Sequence, residues 1–189
     1  MDDKRLIEKI TSGDEYAFQL FVEKYHPMVL TICNNILHNF EDSMDVSQEV
    51  FIKIYESIDQ FRGDSKVSTW LYRIAVNKSL NFLRSKKRNR WFNSLDLIFG
   101  DDKAQQDPAD DSPQPGEILE TDENKKVLHD ALKKLPEKQN AAIALSHFED
   151  LSYKEIAEIM DISVTEVGVL INRGKKKLQK TIIDYYKKN

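Results

Sequence analysis

The stretch Leu151–Leu178, LSYKEIAEIMDISVTEVGVLINRGKKKL, decides how this chain folds. Ser152 followed three residues later by Glu155 is the pattern of a capping box, and Ser163 followed by Glu166 repeats it. After the first cap, Ile156, Ala157 and Met160 fall on one helical face. Only Asp161 and Ile162 separate the two helices, which is a helix-turn-helix spacing. A helical hairpin in a protein-binding bundle has the same local pattern, so the stretch alone leaves both readings open. In the second helix, Val164, Val167, Ile171, Gly174 and Leu178 share one face with Leu170 at its edge. Thr165, Val169, Asn172, Arg173 and Lys176 lie opposite, with Gly168 beside them. Most of the apolar side chains therefore point inward. Gly168 would let a backbone approach closely, and Val169 could touch a thymine methyl group.

The bulk of the chain limits the alternatives. Its 189 residues suffice for one medium domain or two small ones. Six Gly and five Pro are too few for the many tight turns of an all-β fold. No apolar run approaches a membrane span, and the charged start MDDKRLIEKI lacks a signal peptide's apolar stretch, so a cytoplasmic chain without membrane insertion is expected. Cys33, alone among Leu30, Ile32 and Ile36, reads as a small buried thiol. His26, His38, His129 and His147 show no metal-ligand spacing, and neither a phosphate-binding loop nor a nucleophile elbow is present. No cofactor or enzymatic activity is expected.

The net charge of −4 argues against nucleic acid only as an average. Between Arg62 and Arg90 stand nine basic residues against one acid, Asp64. Between Arg173 and Asn189 stand seven against Asp184. Phosphate binding follows local potential, so these two blocks matter more than the sum.

The first 90 residues read as helices. LIEKI is followed by a run capped by Asp14, with Ala17, Phe18, Phe21, Val22 and Tyr25 at helical spacing. Pro27 is expected to start the next helix, and Asp42 or Ser43 to cap the one whose stripe is Val46, Val50, Phe51, Ile54 and Ile58. Residues 61–65 read as a loop and 69–83 as a further helix ending in the basic SKKRNR. From Asp96 to Glu123 the composition shifts to ten acids against Lys103, with three prolines and two glycines. That composition predicts a flexible acidic linker. The expected architecture is all-α: two small helical domains, 1–93 and 124–189, joined by a linker over 94–123.

Several long segments together resemble one family, the group IV or extracytoplasmic-function sigma factors of bacterial RNA polymerase. GDEYAFQLFVEKYHPMV looks like the first conserved region of that family. DSMDVSQEVFIKIY is similar to its D-x-x-D-[LV]-x-Q-[ED]-[VT]-F pattern, FRGDSKVSTWLYRIAVNKSLNFLR to the −10 segment, and LKKLPEKQNAAIALSHFEDLSYKEIAEIMDIS to region 4. The resemblance implies that region 2 binds core polymerase and the melted −10 strand, and that region 4 with its helix-turn-helix binds the −35 element. The acidic linker would cross near the polymerase active site and RNA exit.

The resemblance and the residues name the same candidates. Asp45, Gln48 and Glu49 lie on adjoining exposed positions while Val46 and Val50 face inward, and the resemblance makes the first three the contact with the polymerase β′ clamp. A solvated acidic face is the alternative. For the −10 strand the candidates are Trp70, Arg73, Asn77, Lys78, Asn81, Arg84, Lys86, Lys87 and Arg88, in which rings, amides and cations interleave as single-stranded DNA requires. Trp70 and Leu71 read as core residues sooner than as stacking platforms, and the alternative for the basic cluster is an ordinary helix end. The amide of Asn77 can read a base edge, where the resemblance implies a pocket for a flipped base. For the −35 duplex they are Tyr153, Lys154, Ser163, Thr165, Gly168, Val169, Asn172, Arg173 and Lys176.

The chain departs from the family's pattern at Val67 (often Phe), Asn81 (frequently Asp) and Asn140 (frequently Arg), and at Gly168-Val169-Leu170 (commonly Lys-Ser-Arg). The last change implies fewer base-specific bonds at −35. Expected partners are core RNA polymerase, through the β′ clamp and the β flap, and promoter DNA. The resemblance alone adds an anti-sigma factor. A helix-turn-helix regulator acting without polymerase, or a polymerase-binding decoy, remain the competing readings.

Overall fold

The computed structural model of the chain describes residues 2–61, 63–99 and 119–188, and among them every regular element is helical. Eight α-helices follow in order: α1 (Asp3–Thr11), α2 (Glu15–Leu37), α3 (Phe40–Ser57), α4 (Val67–Phe99), α5 (Leu119–Lys133), α6 (Glu137–His147), α7 (Tyr153–Met160) and α8 (Val164–Lys188). A 3-10 turn, Ile58–Gln60, leads out of α3. The expected all-α class holds for these residues. Arg62 and residues 100–118, the middle of the acidic stretch, lie outside the described residues, while α4 and α5 occupy its two ends. No helix of the described residues is long and apolar enough to cross a membrane.

Two expectations about helix starts are corrected. Pro27 does not begin a helix, because α2 runs through it without a break. Pro27 is exposed, while Phe21, Tyr25, Val29, Ile32 and Ile36 bury the opposite face. The missing N–H costs one backbone bond on the solvent side, and the buried stripe holds the helix together across it. Likewise, α3 starts earlier than Asp42 or Ser43. Asn39 caps it by accepting from the Asp42 N–H at 2.9 Å. Ser43 turns inward instead, fully buried.

Helices α2, α3 and α4 pack mutually around Phe21, Ile32, Ile36, Val46, Val50, Ile54 and Leu71, with α1 closing one side through Leu6, Ile7 and Ile10. Cys33 is fully buried in this core, and burial pushes its thiol up to about 11, so it is unreactive. In the second half, α6, α7 and α8 meet at Ala141, Leu145, Ile156, Ile159, Val167 and Ile171. The capping box at Ser152 is complete: Glu155 N–H donates to Ser152 Oγ at 3.3 Å, and Glu155 Oε2 accepts from the Ser152 N–H at 3.0 Å. At the second, Ser163 Oγ accepts from the Glu166 N–H at 3.1 Å. Asp161 adopts the left-handed conformation (φ 55°) that turns the chain between α7 and α8.

Gly174 sets the approach of α8 to α6. A Cβ there would lie 2.5 Å from Ile143 Cδ1 and 3.5 Å from Gln139 Cβ. Ile143 is buried beside Leu132 and Leu135, so its side chain has little room to retreat. Gly174→Val should therefore cost about 1–3 kcal/mol of unfolding free energy, as overpacked cores do. Urea denaturation measures it; an unchanged midpoint would mean that Ile143 rotates away freely.

Candidate nucleic-acid and polymerase interface

Helix α4 carries the first half of the candidate site. Its buried side is Leu71, Tyr72, Ala75, Val76 and Leu80. Its outward stripe steps by three or four residues through Trp70, Arg73, Asn77, Asn81, Arg84 and Arg88, so six of the nine −10 candidates share one face. All are exposed except Trp70, which is half-buried with its ring 5.1 Å from that of Phe61. Trp70 thus serves the core with one side and the stripe with the other. Leu71 is fully buried and belongs to the core alone.

The other three are not on the stripe. Lys78 sits at its flank and pairs with Glu49 of α3 at 3.0 Å. Lys86 crosses to Asp42 at the start of α3, at 2.6 Å, and lies over the Phe82 ring. Lys87 is exposed on the far flank. A residue assigned to polymerase and one assigned to DNA are thus joined in a single ion pair. Glu49 and Lys78 are 29 positions apart, and only the packing of α3 on α4 reveals the pairing.

On α3 the structure places Asp45, Gln48 and Glu49 together on the exposed face, with Val46, Ser47 and Val50 buried behind them. Ile52 (60% exposed) and Tyr55 (51%) extend that face by one and two turns. Neither belongs to the sequence-derived candidates, although both fall outside the buried stripe. An apolar surface bordered by acids suits a protein surface better than a phosphate backbone.

The second half of the site lies on α7 and α8. Tyr153, Lys154, Ser163, Thr165, Val169, Asn172, Arg173 and Lys176 are exposed, and Gly168 is partly so. Val167, Ile171 and Gly174 form the buried side as expected, and Leu170 its margin. Val164 departs from its expected face: it opens α8 and is 49% exposed. Arg173, Lys176, Lys177 and Lys180 line a shallow depression with Thr181 and Asp184, which concentrates positive charge along α8.

Gly168 is not required by the interior. A Cβ there meets only Tyr153 Cε2, at an ordinary 3.8 Å. Gly168→Ala should therefore raise unfolding stability by about 1 kcal/mol through helix propensity. A loss of stability in urea titration would show that the fold itself needs this glycine.

Comparison with known proteins identifies the family. Residues 21–89 match Sigma-70 region 2, and residues 125–178 match Sigma-70 region 4. The chain is 34% identical over 184 residues to the RNA polymerase sigma-H factor of Pseudomonas aeruginosa, covering 95% of this chain and 93% of that protein. It is 34% identical over 182 residues to the ECF RNA polymerase sigma-E factor of Escherichia coli K12, covering 96% and 95%. Among solved structures, its fold is similar to that of CnrH in complex with the cytosolic domain of CnrY (TM-score 0.66, 20% identity, 96% and 97% covered). It is also similar to the sigma factor RpoE of Bartonella quintana in complex with the anti-sigma factor NepR (TM-score 0.63, 21% identity, 87% and 96% covered). With both sigma regions matched in order and relatives aligned along nearly its whole length, this chain belongs to the extracytoplasmic-function branch of the sigma-70 family of RNA polymerase sigma factors.

Proposed function

We propose that this chain is a non-enzymatic specificity subunit that binds core RNA polymerase and directs it to promoters from the cytoplasm. The first domain would bind core through the α3 face of Asp45, Gln48 and Glu49, and capture melted −10 bases on the α4 stripe from Trp70 to Arg88. The second, residues 124–189, would set α8 against the −35 duplex through Thr165, Asn172, Arg173 and Lys176, and engage the β flap. Supporting this is the coexistence of the acidic α3 face and the amide-and-cation stripe of α4 within one three-helix unit of a chain related over nearly its full length to RNA polymerase sigma factors. Such adjacency lets one domain touch a protein and a separated strand at once. An anti-sigma factor completes the proposed set of partners, by likeness to the Bartonella quintana complex.

Promoter-dependent run-off transcription with added core polymerase tests this. The purified chain should support initiation, and Asp45→Ala, Gln48→Ala and Glu49→Ala together should weaken core binding tenfold or more, on the order expected for a few interface anchors. Absence of core binding by the natural chain would sink the proposal, and core binding without initiation would make it a decoy.

A further inference from the structure

The stripe of α4 does not end at Arg88. Trp91 stands about one turn beyond it and is 62% exposed. About five full turns separate it from Arg73, so the two point in the same direction from the helix axis. By this point the helix has left the core of its domain. Among the described residues of α4 none after Leu80 is buried, and Phe82 and Leu83 are the last apolar side chains packed against the core. The exposed indole is thus not part of the domain's interior. It also lies outside the stretch 21–89 that matches Sigma-70 region 2, so the matched region does not supply its role.

A single exposed aromatic residue is ordinary on a protein surface. The neighbours of Trp91 distinguish it. Lys87 and Arg88, four and three residues earlier, adjoin it on the helix surface, and neither has an ion-pair partner among the described residues. Helical side chains lean toward the N-terminus, so an indole at this position lies over the turn that carries both cations. A flat apolar ring framed by two open cations matches a nucleotide. The ring meets the face of a base, and the cations meet the phosphates on either side. Bases of a duplex are already stacked on one another, and entering between them carries an unstacking cost that an open strand does not impose. The ligand that fits is therefore single-stranded DNA.

We propose that Trp91 is a stacking platform for one base of the single strand held along α4, and that it extends the strand's track beyond Arg88. This rests on the reading of α4 as the strand-binding helix and deepens it. Along the helix axis Trp91 lies about 21 Å from Asn77, at 1.5 Å per residue. At a stacked spacing of about 3.4 Å per nucleotide, that is roughly six nucleotides. Trp91 thus takes a different base from the one at Asn77. A ring face discriminates little among bases, so it adds affinity and strand length rather than sequence preference.

The test uses the full chain, an oligothymidylate of about 20 nucleotides, which outreaches the stripe, and a duplex of the same length. The chain has two tryptophans, so subtracting the emission of Trp91→Phe from that of the natural protein isolates Trp91. That component should be quenched when the single strand binds. Trp91→Ala should bind the single strand about 5- to 20-fold more weakly, within the range of one base–aromatic stack. Its dependence on salt should keep the natural slope, since no phosphate contact is removed. Trp91→Phe should retain most of the affinity, and duplex affinity should change less than about twofold in either variant. Circular dichroism checks that both remain helical. No single-strand binding by the natural chain, no quenching, or equal single-strand affinity in Trp91→Ala would overturn the proposal. So would an equal loss on duplex, or a loss in Trp91→Phe as large as in Trp91→Ala. Weaker binding of core polymerase by Trp91→Ala at unchanged single-strand affinity would make the indole a protein contact and overturn it too. If the natural chain bound the single strand through Trp91 but did not bind core polymerase, the sigma function would fall and this site would stand. If it bound core and initiated while Trp91→Ala matched it on the single strand, only this site would fall.

Discussion

Replacing Lys86, Lys87 and Arg88 together with alanine should lower the affinity of the polymerase-bound chain for promoter DNA by up to about a hundredfold at 0.1 M salt. Each neutralised phosphate on single-stranded DNA contributes about 0.7 to the slope of log affinity against log salt. Three contacts over the decade from 1 M to 0.1 M therefore amount to about two powers of ten. The structure refines this. Lys86 is held by Asp42 at 2.6 Å and must exchange one anion for another, whereas Lys87 and Arg88 have no ion-pair partner among the described residues. The loss of slope should thus be nearer two contacts than three. Lys87→Ala should weaken binding more than Lys86→Ala, and Asp42→Asn should strengthen it. Affinities measured across a salt series give all three, and an unchanged slope in the triple variant would rule out phosphate contact there.

Acid should destabilise the packing of α6 on the end of α2, where the Asn140 amide donates to the Ile36 carbonyl at 2.9 Å and Asn140 Oδ1 lies 3.2 Å from His38 Nε2. Burial holds the His38 imidazole down to about 4, against a smaller upward pull from its Asn140 hydrogen bond. His129 of α5 faces it with ring centroids 5.3 Å apart, and burial and then Lys133 lower that imidazole also. An unfolded His38 titrates near 6.5. Between pH 6.5 and 4 the unfolded state therefore takes up a proton that the folded state refuses. Stability is fully present above pH 6.5 and is lost as pH falls toward 4, by on the order of 2–3 kcal/mol. Urea titrations at pH 7.5 and 4.5 measure the difference. His38→Asn keeps a residue that tolerates the left-handed cap and removes the proton site, so it should flatten the dependence. Equal pH slopes in natural and His38→Asn chains would contradict the assignment.

Much of the site was legible because it is local. Asp45, Gln48 and Glu49 could be placed outside by spacing alone, since Val46 and Val50 fix the inward face of α3 wherever that helix packs. The same holds for Thr165, Asn172 and Arg173 opposite Val167 and Ile171 on α8. Boundaries were less legible. A proline in an amphipathic run suggests a start, yet burial of Tyr25 and Val29 on either side of Pro27 outweighs one missing hydrogen bond. Asn39 is the cap of α3, although Asp42 and Ser43 offer the same capping chemistry three and four residues later.

By itself the sequence determined the all-helical class, the turn at Asp161, the two basic blocks and the family, because capping, amphipathic period and ordered motifs are written within a few turns of chain. Tertiary structure alone decided which charges neutralise each other and what covers the end of α2. Glu49 meets Lys78, Asp42 meets Lys86, Glu149 meets Tyr72 and Asn140 meets Ile36 across separations of 29 to 104 residues. Side-chain periodicity states which way a residue points from its own helix. It carries no information on which helix stands opposite, and that choice sets whether a lysine is open to DNA or already bound to an acid.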